Sequence, residues 1–341
     1  MIADSNSGCD HCVRPQEQDG ENMLTSQIIK QAALDYGADL VGIGDIRHYA
    51  GTSPLHDPCQ ILPTAQRIVG LAMRIPRGLG QVMQSGTQSY LSNYIATKAI
   101  SEELTVLLLL KLCRLIEDAG YEACPQRTCP NIRSRDDDGT NPEVSENTIL
   151  QHAVPVAPGK PAPDVLIDFA RSAVICGLGS IGWRDQVLTP AFGPYQRLAY
   201  IITNAPLEAD QPFSGSLCDQ CGACAKACPG HAIGDTGTYD RWQCSVYYRG
   251  AHRSNPLQGP DFLDGHPHRD AILNGDYRFD EQSAKAIYPH LDFLPRMQYG
   301  YVPCLCKRAC DAACFLHMKE KGLLQPRRID LPQTAQKEVR A

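Results

Sequence analysis

The chain has 341 residues, 43% of them hydrophobic, and a formal net charge of −6. That length suggests two modest cores, in a composition ordinary for a globular protein. No basic tract stands out, which argues against nucleic acid or an anionic membrane surface as a partner, and the longest apolar run, Leu104–Ile116, contains Lys111 and is too short to span a bilayer.

Sixteen cysteines would suit a disulfide framework in a small secreted domain, but the first twenty residues are polar, with no apolar signal core and no twin-arginine pair. Thiols in such a chain are expected to be reduced, and the expected compartment is the cytoplasm.

Residues 1–22 read as a polar lead, in which Cys9 and Cys12 are two ligand types without partners. From Leu24 to Tyr36 the apolar spacing predicts a helix stopped by Gly37, followed by a strand at Leu40–Ile43 and another at Arg67–Met73. A long helix is predicted from about Ser89 to Gly120, apolar enough to be a buried spine, with a strand after it near Cys124. The loops of 125–165 include a charged run at Arg133–Asp138. Helical pattern resumes at Asp164–Val174, and Arg197–Thr203 is a strand too apolar for a sheet edge. Composition changes at Pro206–Ser216, where the domain boundary is expected, giving an α+β domain over 23–210. A cysteine-rich domain over 211–322 follows, with an insertion at 245–303 and an arm at 323–341. The insertion carries His266 and His268 in a polar loop, with helices expected near Asp270 and Glu281.

The chemistry lies in Cys218-Asp-Gln-Cys221-Gly-Ala-Cys224-Ala-Lys-Ala-Cys228-Pro229. Thiols spaced two, two and three residues apart and closed by proline form the bacterial ferredoxin run for a [4Fe–4S] cluster. Short steps rich in Gly and Ala let three sulfurs converge on one cubane, while the fourth, turned away by Pro229, is directed at a second. Two clusters need eight thiolates. Cys244 supplies a fifth, and Cys304, Cys306, Cys310 and Cys314 offer four sulfurs for the remaining three places. The favoured partition sets Cys218, Cys221, Cys224 and Cys314 on one cluster and Cys228, Cys244, Cys306 and Cys310 on the other. Cys304 is left over because its one-residue step to Cys306 is awkward for two ligands on one cubane. The exchange of Cys304 for Cys314 stays open. Cys59, Cys113, Cys124, Cys129 and Cys176 read as small buried hydrophobes.

Gly177-Leu-Gly179-Ser-Ile-Gly182 fits the dinucleotide pattern but lacks its context: the preceding segment is helical, Pro190 breaks the segment after it, and no acidic partner lies downstream. It reads as a tight turn, or as a turn whose amides approach a bulky cofactor.

Ile175–Gly182, Leu188-Thr-Pro-Ala-Phe-Gly-Pro194, Thr203-Asn-Ala-Pro-Leu207 and the ferredoxin run together resemble the core of the epoxyqueuosine reductases and reductive dehalogenases. The resemblance covers about residues 24–320 and is densest over 170–230. It implies a nitroreductase-like, cobalamin-binding α+β domain docked on a ferredoxin-like domain with two [4Fe–4S] clusters. It also implies electrons arriving from a ferredoxin or flavodoxin-type donor and a small-molecule substrate reduced at the cobalamin. Carried onto this chain, Gly177, Gly179, Gly182, Thr189 and Gly193 would lie along the corrin, and Tyr94 and Asp168 are the candidate proton donors. The chain lacks the helical-repeat extension of the longer epoxyqueuosine reductases, and its acidity speaks against tRNA. The alternative is a corrinoid-free electron-transfer protein serving a partner. A corrin would need a large, partly apolar cavity within residues 24–210.

Overall fold

The computed structural model describes residues 24–127, 157–161, 165–255, 257–291 and 303–325. Cys9, Cys12, Cys129, the charged run at 133–138 and residues 326–341 of the arm lie outside them.

Four strands, β1 (Leu40–Asp45), β2 (Arg67–Arg74), β3 (Ala123–Arg127) and β6 (Gln196–Thr203), form one antiparallel sheet in the order β1-β2-β6-β3. β6 is interior, as its unbroken apolar run requires. Period-two alternation gives the sheet two faces. Val69, Leu71, Met73, Ala199 and Ile201 point to one, and Ile68, Tyr200 and Ile202 to the other.

Against the first face pack the helix Ser26–Asp35, capped by the Thr25 hydroxyl accepting from the Ile28 amide, and the long helical segment Ser89–Asp118. That segment is continuous, as expected, but its middle third, Ile95–Leu104, is wound as a π-helix. It is not a buried spine. Leu108, Leu109, Leu112 and Ile116 face the sheet, while Leu107 is 63% exposed and Leu91, Leu104 and Leu110 are also exposed. Dense apolar sequence does not distinguish one buried stripe from burial all round.

On the second face lies the helix Phe169–Ile175, opened by Asp168, whose carboxylate accepts from the Ala170 and Arg171 amides at 3.0 Å each. The chain after it rests directly on β1: a Cβ on Gly42 would sit 1.9 Å from the Cys176 carbonyl oxygen, so only glycine fits there. A short hairpin, β4 (Ser180–Ile181) with β5 (Val187–Leu188), then leads into β6. No parallel crossover comes after the glycine turn, so the Rossmann reading fails on topology.

Beyond β6 the cysteine-rich segment wraps around the short helix Ala223–Ala227 and the helix Arg241–Tyr248. The insertion has a core of its own: Trp242, Tyr247, Leu263, Ile272, Phe279 and Ile287, with helices at Arg269–Asn274 and Glu281–Leu291. The helix Ala309–Glu320 returns to the sheet, where Phe315 packs on the first core and stacks 4.9 Å from Tyr195. Helices and an antiparallel sheet joined to a ferredoxin-like segment make the fold α+β. Among the described residues no helix is long and apolar enough to cross a membrane.

Candidate iron–sulfur centre

The first cysteine run turns tightly. Gln220 (φ 58°) and Gly222 (φ 72°) adopt left-handed backbone, which folds Cys218, Cys221 and Cys224 back on one another. Ser180 on β4 accepts from the Leu217 amide at 2.9 Å, tying the loop to the hairpin. The Cys228 sulfur accepts from the Ala232 amide at 3.4 Å. Every cysteine among the described residues is a free thiol.

The sulfurs fall into two groups. Burial pushes the Cys314 thiol up to about 12, and the charges of Asp311, Cys224 and Cys218 add to the shift. Burial likewise pushes Cys244 up to about 12, reinforced by Cys306 and Cys228. Cys310 is raised by burial, then by Asp311, with Cys306 contributing. Cys224 feels Cys218 and Cys221. Cys314 is thus close to Cys224 and Cys218, Cys224 to Cys218 and Cys221, Cys244 to Cys306 and Cys228, and Cys310 to Cys306, each pair falling within one of the two quartets expected from the spacing. Cys304 is buried with its Sγ 3.5 Å from that of Cys306, so it borders the second group. Burial raises the pKa of Cys224, Cys244, Cys310 and Cys314, so these thiols become thiolates only where cations neutralise them, a donor set that suits iron.

A charge network adjoins the cysteines. Arg184, two residues past Gly182 and four before the end of β5, donates to Asp311. Asp311, 1% exposed, is also paired with Arg308. The two arginines hold the Asp311 carboxyl below the usual carboxylate range although burial opposes this. At the rim, His317 Nε2 lies 2.7 Å from Asp219 Oδ2, beside the exposed Cys221. Sequence reading missed Arg184, Arg308, Asp311 and Asp219. The i,i+3 spacing of Arg308 and Asp311 inside the cysteine run was a usable signal; nothing local marks Arg184.

The residues carried over for the corrin pack closely on the chain on their Cβ sides. A Cβ on Gly177 would meet the Gln211 carbonyl oxygen at 2.8 Å, and one on Gly179 would meet that of Leu188 at 2.0 Å. One on Gly182 would meet Cys218 Cβ at 3.2 Å, and one on Gly193 would meet the Met318 sulfur at 3.1 Å. Thr189 is fully buried; its hydroxyl accepts from the Phe192 amide and lies 3.3 Å from Gln196 Oε1. The chain itself fills these faces. Tyr94 donates to Glu103 where the long helical segment enters its π-turns, and Asp168 caps the helix on the opposite side of the sheet. The sheet therefore separates the two proton-donor candidates, and Asp168 is occupied as a helix cap. A pocket of about 580 Å³, lined by Asp45, Arg47, Tyr49, Cys59 and Arg67 among others, opens at the end of the sheet where β1 finishes. That is roughly 20 Å along β6 from Arg197 at the cysteine side.

Residues 213–234 match the family model of a 4Fe-4S binding domain. The chain is 36% identical over 81 residues to the epoxyqueuosine reductase of Synechococcus sp. (strain CC9605), covering 24% of this chain and 25% of that one. It is 41% identical over 64 residues to the tetrachloroethene reductive dehalogenase of Sulfurospirillum multivorans, covering 18% and 13%. The matching stretch spans about a quarter or less of these curated relatives. A crystal structure of epoxyqueuosine reductase with an epoxyqueuosine-modified tRNA-Tyr stem loop superposes with a TM-score of 0.45 at 16% identity, over 83% of this chain and 69% of that one. With the ferredoxin run, the sequence matches to both enzyme groups make this chain similar, over part of its length, to the epoxyqueuosine reductases and the reductive dehalogenases.

Proposed function

We propose that the chain is a cytoplasmic iron–sulfur reductase holding two [4Fe–4S] clusters, which pass low-potential electrons to an acceptor where a small organic substrate is reduced; a cobalamin is the acceptor that the sequence resemblance implies. The ferredoxin-spaced run, with Cys244, Cys306, Cys310 and Cys314 close to it in the fold, carries this reading. Cys218, Cys221, Cys224 and Cys314 would hold one cluster, and Cys228, Cys244, Cys306 and Cys310 the other. When bound, the clusters supply one-electron transfer. The chain contributes partial burial of the sulfurs, the Ala232 amide that donates to the Cys228 sulfur, and an exposed edge at Cys221 for a ferredoxin or flavodoxin-type donor.

The fit to a corrinoid is poorer. Gly177, Gly179, Gly182, Thr189 and Gly193 present filled faces rather than a bed for a large ring, so no step is derived through it. What favours a bound acceptor is the other side of the second quartet. Asn93 donates to the Cys304 carbonyl, yet its Oδ1 is buried without a partner, as is Nη2 of Arg197. Buried polar atoms left unpaired are costly, and these are groups a docked acceptor would satisfy. Tyr94, adjacent to Asn93, is the proton-donor candidate nearer that place. The net charge of −6 favours a small organic substrate over tRNA.

The closed glycine turn favours a second reading, a two-cluster electron carrier without corrinoid serving a partner protein. Anaerobic purification followed by iron and cobalt analysis, with and without added cobalamin, separates the two. About eight irons with stoichiometric corrinoid uptake support the reductase. Eight irons with no uptake support the carrier, and four irons or fewer refute both.

A further inference from the structure

The ionic network beside the cysteines holds more positive charge than its own neutrality requires. Asp311 is almost fully buried and is already neutralised by Arg308, its neighbour on the same turn of chain. A second guanidinium, Arg184, reaches it from the hairpin 127 residues away in sequence, its side chain only 19% exposed. The two arginines and the one aspartate of this ionic contact sum to a net charge of +1, next to Cys310 in the chain. Burying a surplus charge opposes stability, so a purely structural ion pair would not be built this way. The backbone is also strained to deliver it: Arg184 and Asp185 are consecutive non-glycine residues in left-handed conformation, at φ 52° and 56°. The Arg184 amide donates to the Gly237 carbonyl at 2.7 Å, and the Trp183 ring leaves no room for a Cβ on Gly237. The hairpin is therefore anchored in the cysteine-rich segment on both sides of the side chain.

We propose that Arg184 is a positioning residue that sets the reduction potential of both clusters, its fixed charge making each easier to reduce. Its placement joins the quartets. Gly182, two residues earlier, abuts Cys218 of the first, and Asp311, its ionic partner, adjoins Cys310 of the second. Each cluster gains one electron from an external low-potential donor and loses it to the acceptor, with no bond formed or broken. The reduced form carries one more negative charge, and a buried cation within reach stabilises that form more than the oxidised one. This inference rests on the two-cluster reading.

The test is an anaerobic redox titration of the purified full chain with dithionite, following the electron paramagnetic resonance signal of each reduced cluster. Wild type is compared with Arg184→Gln and Arg184→Lys, and iron is counted in each. In Arg184→Gln both midpoints should fall, by about tenfold in the reduction equilibrium or about 59 mV for a one-electron couple. Arg184→Lys should recover most of the fall. If Arg184→Gln loses iron, Asp311→Asn decides in its place: it raises the network by one positive charge, and both midpoints should rise. Unchanged midpoints in a variant that keeps eight irons, or movement of one cluster alone, overturn the proposal and leave the two-cluster reading intact. Four irons in wild type remove that reading and the proposal together.

Discussion

Gly179→Ala distinguishes a glycine turn packed on its own chain from one open to a cofactor. The new methyl would sit 2.0 Å from the Leu188 carbonyl oxygen, 2.9 Å from its carbonyl carbon and 3.1 Å from Thr189 Cα. All three are backbone atoms, so no side chain can swing aside. The β4–β5 pair, joined at Ser180↔Leu188 and Ile181↔Val187, must open by more than an ångström or surrender its pairing. Overpacking of this kind costs about 1–3 kcal/mol, and one lost backbone hydrogen bond adds about 1 kcal/mol, so a loss of about 3 kcal/mol is expected. That is a large share of the ~5–15 kcal/mol by which domains are stable. The assay is anaerobic urea denaturation followed by circular dichroism. Gly78→Ala is the control, since nothing lies within 4 Å of its Cβ position in the helix Arg77–Ser85, and it should gain about 0.5–1 kcal/mol. Unchanged stability of Gly179→Ala combined with lost corrinoid uptake would refute the packed-turn reasoning and restore the cofactor-facing one.

Three further outcomes are expected. Asp45 ends β1 in contact with Arg47 and Arg67, and the hydrogen bond from Arg47 is the main reason its carboxyl lies at about 2. A lowered folded-state pKa stabilises above the unfolded value near 3.8 and is lost as pH falls toward 2. Asp45→Asn should therefore cost about 1–2 kcal/mol from pH 7 down to pH 4, after allowance for the exposed Arg47, and the difference should close below that; a gap that widens in acid would contradict the assignment. Cys314→Ser should lose one cluster's iron while Cys304→Ser keeps about eight atoms, and the opposite pattern would make Cys304 the eighth ligand. Asp168→Ala should cost about 1 kcal/mol of stability as a lost helix cap, with turnover per folded enzyme unchanged; a collapse of turnover at full stability would return Asp168 to the chemistry.

Much of the scaffold was legible because period and turn chemistry act locally. Gly37 stops a helix, and the apolar run Arg197–Thr203 sits inside the sheet. The ferredoxin spacing was legible for the same reason, since the geometry of a cubane is written into two- and three-residue steps. The expected partners of Cys228 were harder, Cys306 and Cys310 being more than seventy residues downstream, and only a count of thiols suggested them; in the fold Cys244 lies near Cys306 and Cys228. Three features were not legible. The π-winding of Ile95–Leu104 has no sequence period of its own, and the apolar density of that helix concealed an exposed leucine edge. The glycines of 177–182 satisfied a cofactor pattern because close backbone approach demands glycine whatever approaches; here it is Leu188 and Gln211. Arg184 carries its charge into the centre through a contact with Asp311 that only the folded chain creates.

The central claim is that two iron–sulfur cubes are held by thiolates drawn from both ends of the C-terminal third. Iron and acid-labile sulfide analysis of anaerobically purified protein, read with the spectrum of the dithionite-reduced sample, tests it most directly. The account predicts about eight irons and eight sulfides per chain, with two magnetically interacting reduced centres. Four of each with a single isolated centre, or zinc in place of iron, would contradict it.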